Sequence, residues 1–227
     1  MRKLCLFILS FLLVSPLFAQ DRLLECAGDV PLTEANALID KVQSKYSEVK
    51  AIKANFTQSS YLAAVDAGED SSGEVWLEKP SKMKWQYKEP EEQTFLMNDE
   101  TLWLYQPLDN QVVIQRVEDV LLTDLPVAFL MGMGDLKKDF KLNKACKAAN
   151  GTVLQMLPAK ADKGNELEGF TMLVDTVTSF PRTVQIVHVG GNKTTITLEN
   201  TDFKPEIADN TFKAEFPKGI DINDMRK

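Results

Sequence analysis

Gly73-Glu74-Val75-Trp76-Leu77-Glu78-Lys79-Pro80-Ser81-Lys82-Met83-Lys84-Trp85-Gln86-Tyr87 decides the architecture of this 227-residue chain. Met83, Trp85 and Tyr87 alternate with Lys82, Lys84 and Gln86, so a period of two sets three large apolar side chains on one face of a strand. On either side of it, the same kind of pattern predicts strands over 51–60, 73–78, 82–87, 94–98, 101–106, 111–117, 141–146, 153–157, 170–175, 183–189 and 193–199, about eleven in all. The links between them are short and rich in turn formers, as in Asn98-Asp99-Glu100, Pro107-Leu108-Asp109-Asn110 and Gly190-Gly191-Asn192. Antiparallel hairpins in a meander follow.

Helical spacing occurs in two places. Ahead of the strands, Leu38, Ile39, Val42, Tyr46 and Val49 form an apolar stripe with Thr33 as the expected N-cap. Over 120–133, Leu121, Leu122, Leu125, Phe129, Leu130 and Met133 make a second apolar helical segment, better suited to a lid than to a crossover. No tandem repeat, low-complexity tract or composition break divides the chain, so residues 20–227 read as one domain.

The first nineteen residues stand apart. Arg2 and Lys3 precede an apolar run over 4–17, and Phe18-Ala19-Gln20 offers a cleavage point after Ala19. The run is shorter than the roughly 20 residues a spanning helix needs, so 1–19 reads as a secretory signal peptide. Losing Arg2 and Lys3 takes the net charge from −7 to about −9. Cys5 leaves with the same segment, and Cys26 and Cys146 remain as an even pair in an oxidising compartment, for which one disulfide is the simplest assignment. Glu25 directly before Cys26 is not the small residue a lipoprotein signal requires, so the chain itself is not expected to be lipidated.

Composition is that of a globular protein, 44% hydrophobic and 26% charged. The acidic balance gives nucleic acid no basic field to bind. Catalysis has little to build on, because His188 is the single histidine and lies in a strand pattern. No G-x-S-x-G, H-E-x-x-H or G-x-x-x-x-G-K-[ST] motif occurs, and no spacing selects a catalytic pair among the thirty-three carboxylates. The reading is a protein that is not an enzyme and uses no metal or cofactor.

Strand 101–106 constrains the packing further. Leu102 and Leu104 point one way and Trp103 and Tyr105 the other, so both faces need apolar cover. A core filled by its own side chains would meet that need, and so would a lipid-sized cavity enclosed by a curved sheet.

The motif over 73–87 resembles the central motif of the LolA family of periplasmic lipoprotein carriers. The resemblance continues upstream through Phe56-Thr57-Gln58. Downstream it takes in Pro90, Gln93, Leu102-Trp103-Leu104-Tyr105, Gln111-Val112 and Phe216-Pro217-Lys218-Gly219-Ile220-Asp221. It implies a mainly β (α+β) fold, an unclosed antiparallel β-barrel whose hollow is capped by helices and takes up acyl chains. It implies a soluble periplasmic monomer that receives lipoproteins from an ATP-driven inner-membrane transporter and passes them to a LolB-like outer-membrane acceptor.

The resemblance also carries residue roles. Lys79, just before the motif proline, stands where family members hold a basic residue, often arginine, that latches the lid. An ammonium lacks the planar fork of arginine and implies a weaker latch. Met83 stands at a large apolar position tied to lipoprotein handling. Phe56, Trp85, Leu102 and Leu104, with Leu130 and Met133 of the lid, complete the implied acyl-chain site. The face of the sheet that points inward stays open at this stage. Methionines at 83, 97, 131 and 133 suit irregular, adaptable space.

Two other readings share the fold. A LolA-like module that senses lipid or misplaced lipoprotein usually carries a further domain, whereas this chain runs only about ten residues past Phe216-Pro217. A LolB-like acceptor is disfavoured by the missing lipidation cysteine.

Overall fold

The computed structural model describes residues 22–118, 135–160 and 167–226. The expected signal peptide, the helical segment over 120–133 and the site residues Leu130 and Met133 lie outside them.

The described chain forms β1 (Gly28–Asp29), α1 (Leu32–Glu48), β2 (Ala51–Leu62), β3 (Ala67–Glu78), β4 (Lys82–Glu89), β5 (Gln93–Asn98), β6 (Thr101–Gln106) and β7 (Gln111–Arg116). It continues with the single-turn helix α2 (Leu136–Asp139), β8 (Phe140–Ala148), β9 (Gly151–Pro158), β10 (Leu167–Asp175), β11 (Pro181–His188), β12 (Lys193–Asp202) and β13 (Asp221–Asp224). All thirteen strands belong to one sheet in the order β1-β8-β9-β10-β11-β12-β2-β3-β4-β5-β6-β7-β13. The two ends of that order are not bonded to each other, so the sheet is an unclosed barrel, and mainly β is the right class.

Every one of the eleven expected strands is present, several with longer ends. The two additional strands are short and polar. β1 extends one edge by pairing with β8, and β13 the other by running parallel to β7. Every pairing among the eleven expected strands is antiparallel, as expected, and the one parallel pair involves only the added β13. The expected meander is divided in two. β2 to β7 form one meander and β8 to β12 another, and β12 pairs with β2 to join them. Hairpin signals report only neighbours in sequence, whereas this seam pairs residues as remote as Lys53 and Asp202, and just beyond its end Ala63 N–H donates to Asn192 Oδ1.

α1 lies in the concave side. Ala35, Ile39, Val42 and Tyr46 are buried in the same core as Ile52, Ala54 and Phe56 of β2 and Ile196 and Leu198 of β12. Its N-cap is Pro31, with no side-chain cap bond, and Thr33 falls inside the first turn. The position of Pro31 follows from β1, since Val30 N–H donates to the Ala145 carbonyl and the chain turns into the helix directly after. Lacking a hydroxyl there, the helix takes its fixed entry angle from the proline ring.

On the convex side, Cys146, Val153 and Leu173 form a second small core with Leu23 and Leu24 of the turn at Arg22–Leu24. A disulfide joins Cys26 to Cys146 with Cα atoms 5.5 Å apart, fixing this N-terminal segment to β8. The outer face of β6 is covered in a different way: Tyr105 packs against Phe216, ring centroids 5.4 Å apart. Both faces of that strand are therefore clothed, one by the core and the other by the C-terminal stretch.

Candidate functional site

The concave face of β2 to β6 carries the residues of interest. Alternation along each strand and the pairing between strands bring together Phe56, Gly73, Tyr87, Trp85, Phe95, Met83, Met97, Leu102 and Leu104. The sheet thus settles the open question of direction. Even-numbered side chains of β2 and β6 and odd-numbered ones of β3, β4 and β5 face the hollow, while Trp76 faces outward between Lys53 and Lys84, whose ammonium groups lie 5.6 and 5.3 Å from its ring.

An aromatic group occupies the middle of this face. Phe56 and Trp85 have centroids 4.4 Å apart, Phe56 and Tyr87 meet edge-on at 5.1 Å, and Tyr87 meets Phe95 at 6.2 Å. Phe56 and Tyr87 belong to strands separated by β3, and the β3 residue between them is Gly73. A Cβ on Gly73 would stand 1.9 Å from the Gln86 carbonyl oxygen and 2.9 Å from the Phe56 ring. Glycine is what lets the rings close over the strand.

To one side of the aromatics the surface becomes polar. Tyr87 donates its hydroxyl to Gln58 Oε1 at 2.9 Å, and Gln58 Nε2 donates to Ser60 Oγ at 3.2 Å. These residues, with Phe95, Gln93, Ser71 and Glu69, line a cavity of about 260 Å³ at the ends of β2 to β5. On the other side the surface stays apolar: Met83 stands opposite Met97, and Met97 opposite Leu102, all buried. Thioethers fill irregular space and repack cheaply. Leu104 shares the face of Leu102 and is half-buried.

Lys79 sits at the turn between β3 and β4, away from the aromatics. Its ammonium donates to the Tyr46 carbonyl in the last turn of α1 and lies 6.0 Å from the Tyr46 ring. A cation at this end meets the negative pole of the helix. Partial burial pushes its pKa below the ordinary lysine value. Tyr46 in turn stacks on Phe180 at 4.4 Å, and burial raises its phenol far above the usual range. Among the described residues, Lys79 therefore fastens the β3–β4 turn to α1; its expected lid partners lie outside them.

The structure brings Phe56, Met83, Trp85 and Leu102 together in one core and places Leu104 on the same face, with Lys79 at its margin. Sequence reading missed Gly73, Gln58, Tyr87 and Phe95 as parts of the site. The alternation that selected Trp85 also selects Tyr87 two residues on, and Phe95 stands opposite Trp85 on β5, so the signal for both was present.

The family model described as outer membrane lipoprotein carrier protein LolA matches residues 47–215. The chain belongs to the LolA family. It is 28% identical over 193 residues to the outer-membrane lipoprotein carrier protein of Cupriavidus pinatubonensis, covering 84% of this chain and 89% of that one. The protein of the same name from Sodalis glossinidius is 26% identical over 232 residues, covering 98% and 96%. Among solved structures, an uncharacterized conserved protein from Thermus thermophilus superposes with a TM-score of 0.55 at 12% identity, over 84% of this chain and 99% of its own. That likeness is one of fold. In this LolA-family chain the matched region runs from the end of α1 through β2 to β12 and stops just short of Phe216, the residue packed on β6.

Proposed function

We propose that this chain is a periplasmic carrier, which takes the acyl chains of lipoproteins released by an ATP-driven inner-membrane transporter and delivers them to a LolB-like outer-membrane acceptor. The observation that carries the reading is the family match spanning every strand that builds the concave face, together with the apolar and methionine-lined character of that face.

The physical demand fits such a surface. At roughly 0.8 kcal/mol per methylene, one chain of about sixteen carbons costs on the order of 13 kcal/mol to leave in water. A carrier has to hide it and later release it without a nucleotide of its own, which favours adaptable side chains and a cover held by modest bonds. Phe56, Met83, Trp85, Leu102 and Leu104, with Leu130 and Met133, contact the chains in this proposal. Lys79 helps hold the closed state through α1.

The test is release. Purified protein is incubated with inner-membrane vesicles that hold the transporter and a radiolabelled lipoprotein, ATP is added, and label in the supernatant is counted. Soluble label in complex with the protein is the expected result. Label that stays in the membrane, while a known carrier releases it, overturns the proposal.

A further inference from the structure

We infer that the indole N–H of Trp85 receives the carbonyl oxygen at the head of a bound acyl chain, an inference that rests on the carrier reading above. The starting point is an orphan donor. Trp85 is 8% exposed, and its Nε1 is fully buried with no hydrogen-bond acceptor among the described residues. Buried indole nitrogens ordinarily find a partner, because a desolvated donor without one is costly. A position that needed only an aromatic plate against Phe56 would be served by phenylalanine, which carries no such cost.

The place of the orphan says what would satisfy it. Along the concave face of β4, Tyr87 lies two residues to one side of Trp85, at the polar cavity with Gln58 and Ser60. Met83 lies two residues to the other side, against Met97. The order across the face is thus polar cavity, indole, thioethers. An acylated glyceryl or amino group has the same order: polar head, carbonyl, then methylenes. Indole is a donor only, so it accepts neither an ammonium nor a bare alkyl chain as partner, and a carbonyl oxygen at that depth fits. Ester carbonyls of a diacylglyceryl group and the amide carbonyl of an N-acyl group share this chemistry.

Three probes of equal chain length separate the possibilities: a diacylglyceryl-cysteine peptide, an N-acyl peptide and the dialkyl-ether counterpart of the first. Affinities are measured for the wild type and Trp85→Phe. The wild type should bind a carbonyl probe about tenfold more tightly than the ether, and Trp85→Phe should bring that ratio close to one, whatever apolar contact it removes from all three probes alike. Loss confined to the ester or to the amide probe supports the inference and identifies the source of the carbonyl. Unchanged affinity for both carbonyl probes, or equal loss for all three, overturns it. Should the variant fail to fold, the wild-type Trp85 indole proton resonance decides: a downfield shift with a carbonyl probe and none with the ether supports the inference, and no difference overturns it. A wild type that binds none of the probes overturns the carrier reading instead, together with what rests on it.

Discussion

Phe56 and Tyr87 touch edge to face at 5.1 Å although a whole strand lies between theirs, because the residue of that strand beneath them is Gly73. The contact converts a missing side chain into a continuous aromatic surface across three strands. Trp85 and Phe95 extend that surface toward β5.

Gly73→Ala should therefore be disproportionately harmful for the addition of one methyl group. The new Cβ would collide with the Gln86 carbonyl, which is backbone and cannot swing away, as well as with the Phe56 ring. A loss of about 2 to 3 kcal/mol, the upper part of the range for overpacked sites, is expected in urea unfolding. A midpoint equal to that of the wild type would show that the strand can shift to accept the methyl.

Lys79→Met should loosen the junction between α1 and the β3–β4 turn without unfolding the sheet. The variant loses the bond to the Tyr46 carbonyl and the favourable charge at the helix C-terminus, about 1 kcal/mol together after solvent screening. Faster amide exchange is expected at Val49, whose N–H donates to Lys45, and at position 79, whose N–H donates to the Lys50 carbonyl. Lys79→Arg should restore protection, and equal protection in Lys79→Met would remove the tether from the account.

Replacing Cys26 and Cys146 together by serine should lower stability by about 2 to 5 kcal/mol, since the bond closes a loop between residues 120 apart in sequence. The loss should be accompanied by early exchange at Ala27 and Val30, the amides that bond the N-terminal segment to β8. Coincident unfolding curves for wild type and variant would contradict the prediction.

Acid should weaken the β10–β11 turn. The Asp175 carboxylate accepts bonds from the Thr178 and Val177 amides and the Thr178 hydroxyl, and the Thr178 amide bond foremost holds its pKa below the ordinary 3.8. A carboxylate with a lowered folded-state pKa stabilises the fold above its unfolded pKa, and that contribution is lost as pH falls through the folded value. The stability gap between wild type and Asp175→Ala should accordingly be full near neutrality and narrow below pH 3.8. A gap independent of pH would assign the effect to the turn backbone alone.

The strands were legible because each is long enough to display its alternation, and all eleven appear where the pattern puts them. β1 and β13 escaped notice for a physical reason. Gly28-Asp29 and Asp221-Ile222-Asn223-Asp224 are too short to show an apolar alternation, the second having only the exposed Ile222, and they are strands because β8 and β7 offer them backbone partners. The site was half legible. Alternation grouped Met83 with Trp85 and Tyr87, yet it could not say which face was inside, since Leu102 and Leu104 balance Trp103 and Tyr105 on β6. Phe216, more than a hundred positions downstream, resolves that balance by covering Tyr105. The orphan state of the Trp85 nitrogen is likewise a property of three-dimensional surroundings, which no spacing rule encodes.

The seam between β2 and β12 has a consequence for how the chain reaches its fold. β2 is made early in synthesis, but one of its two edges has no partner until the C-terminal third arrives. The pairing at the centre joins residues more than a hundred positions apart, a high contact order that predicts slow closure of this seam relative to the local hairpins. Until then the β2 edge is an open template for aggregation, and a chain cut before Lys193 would keep it open permanently.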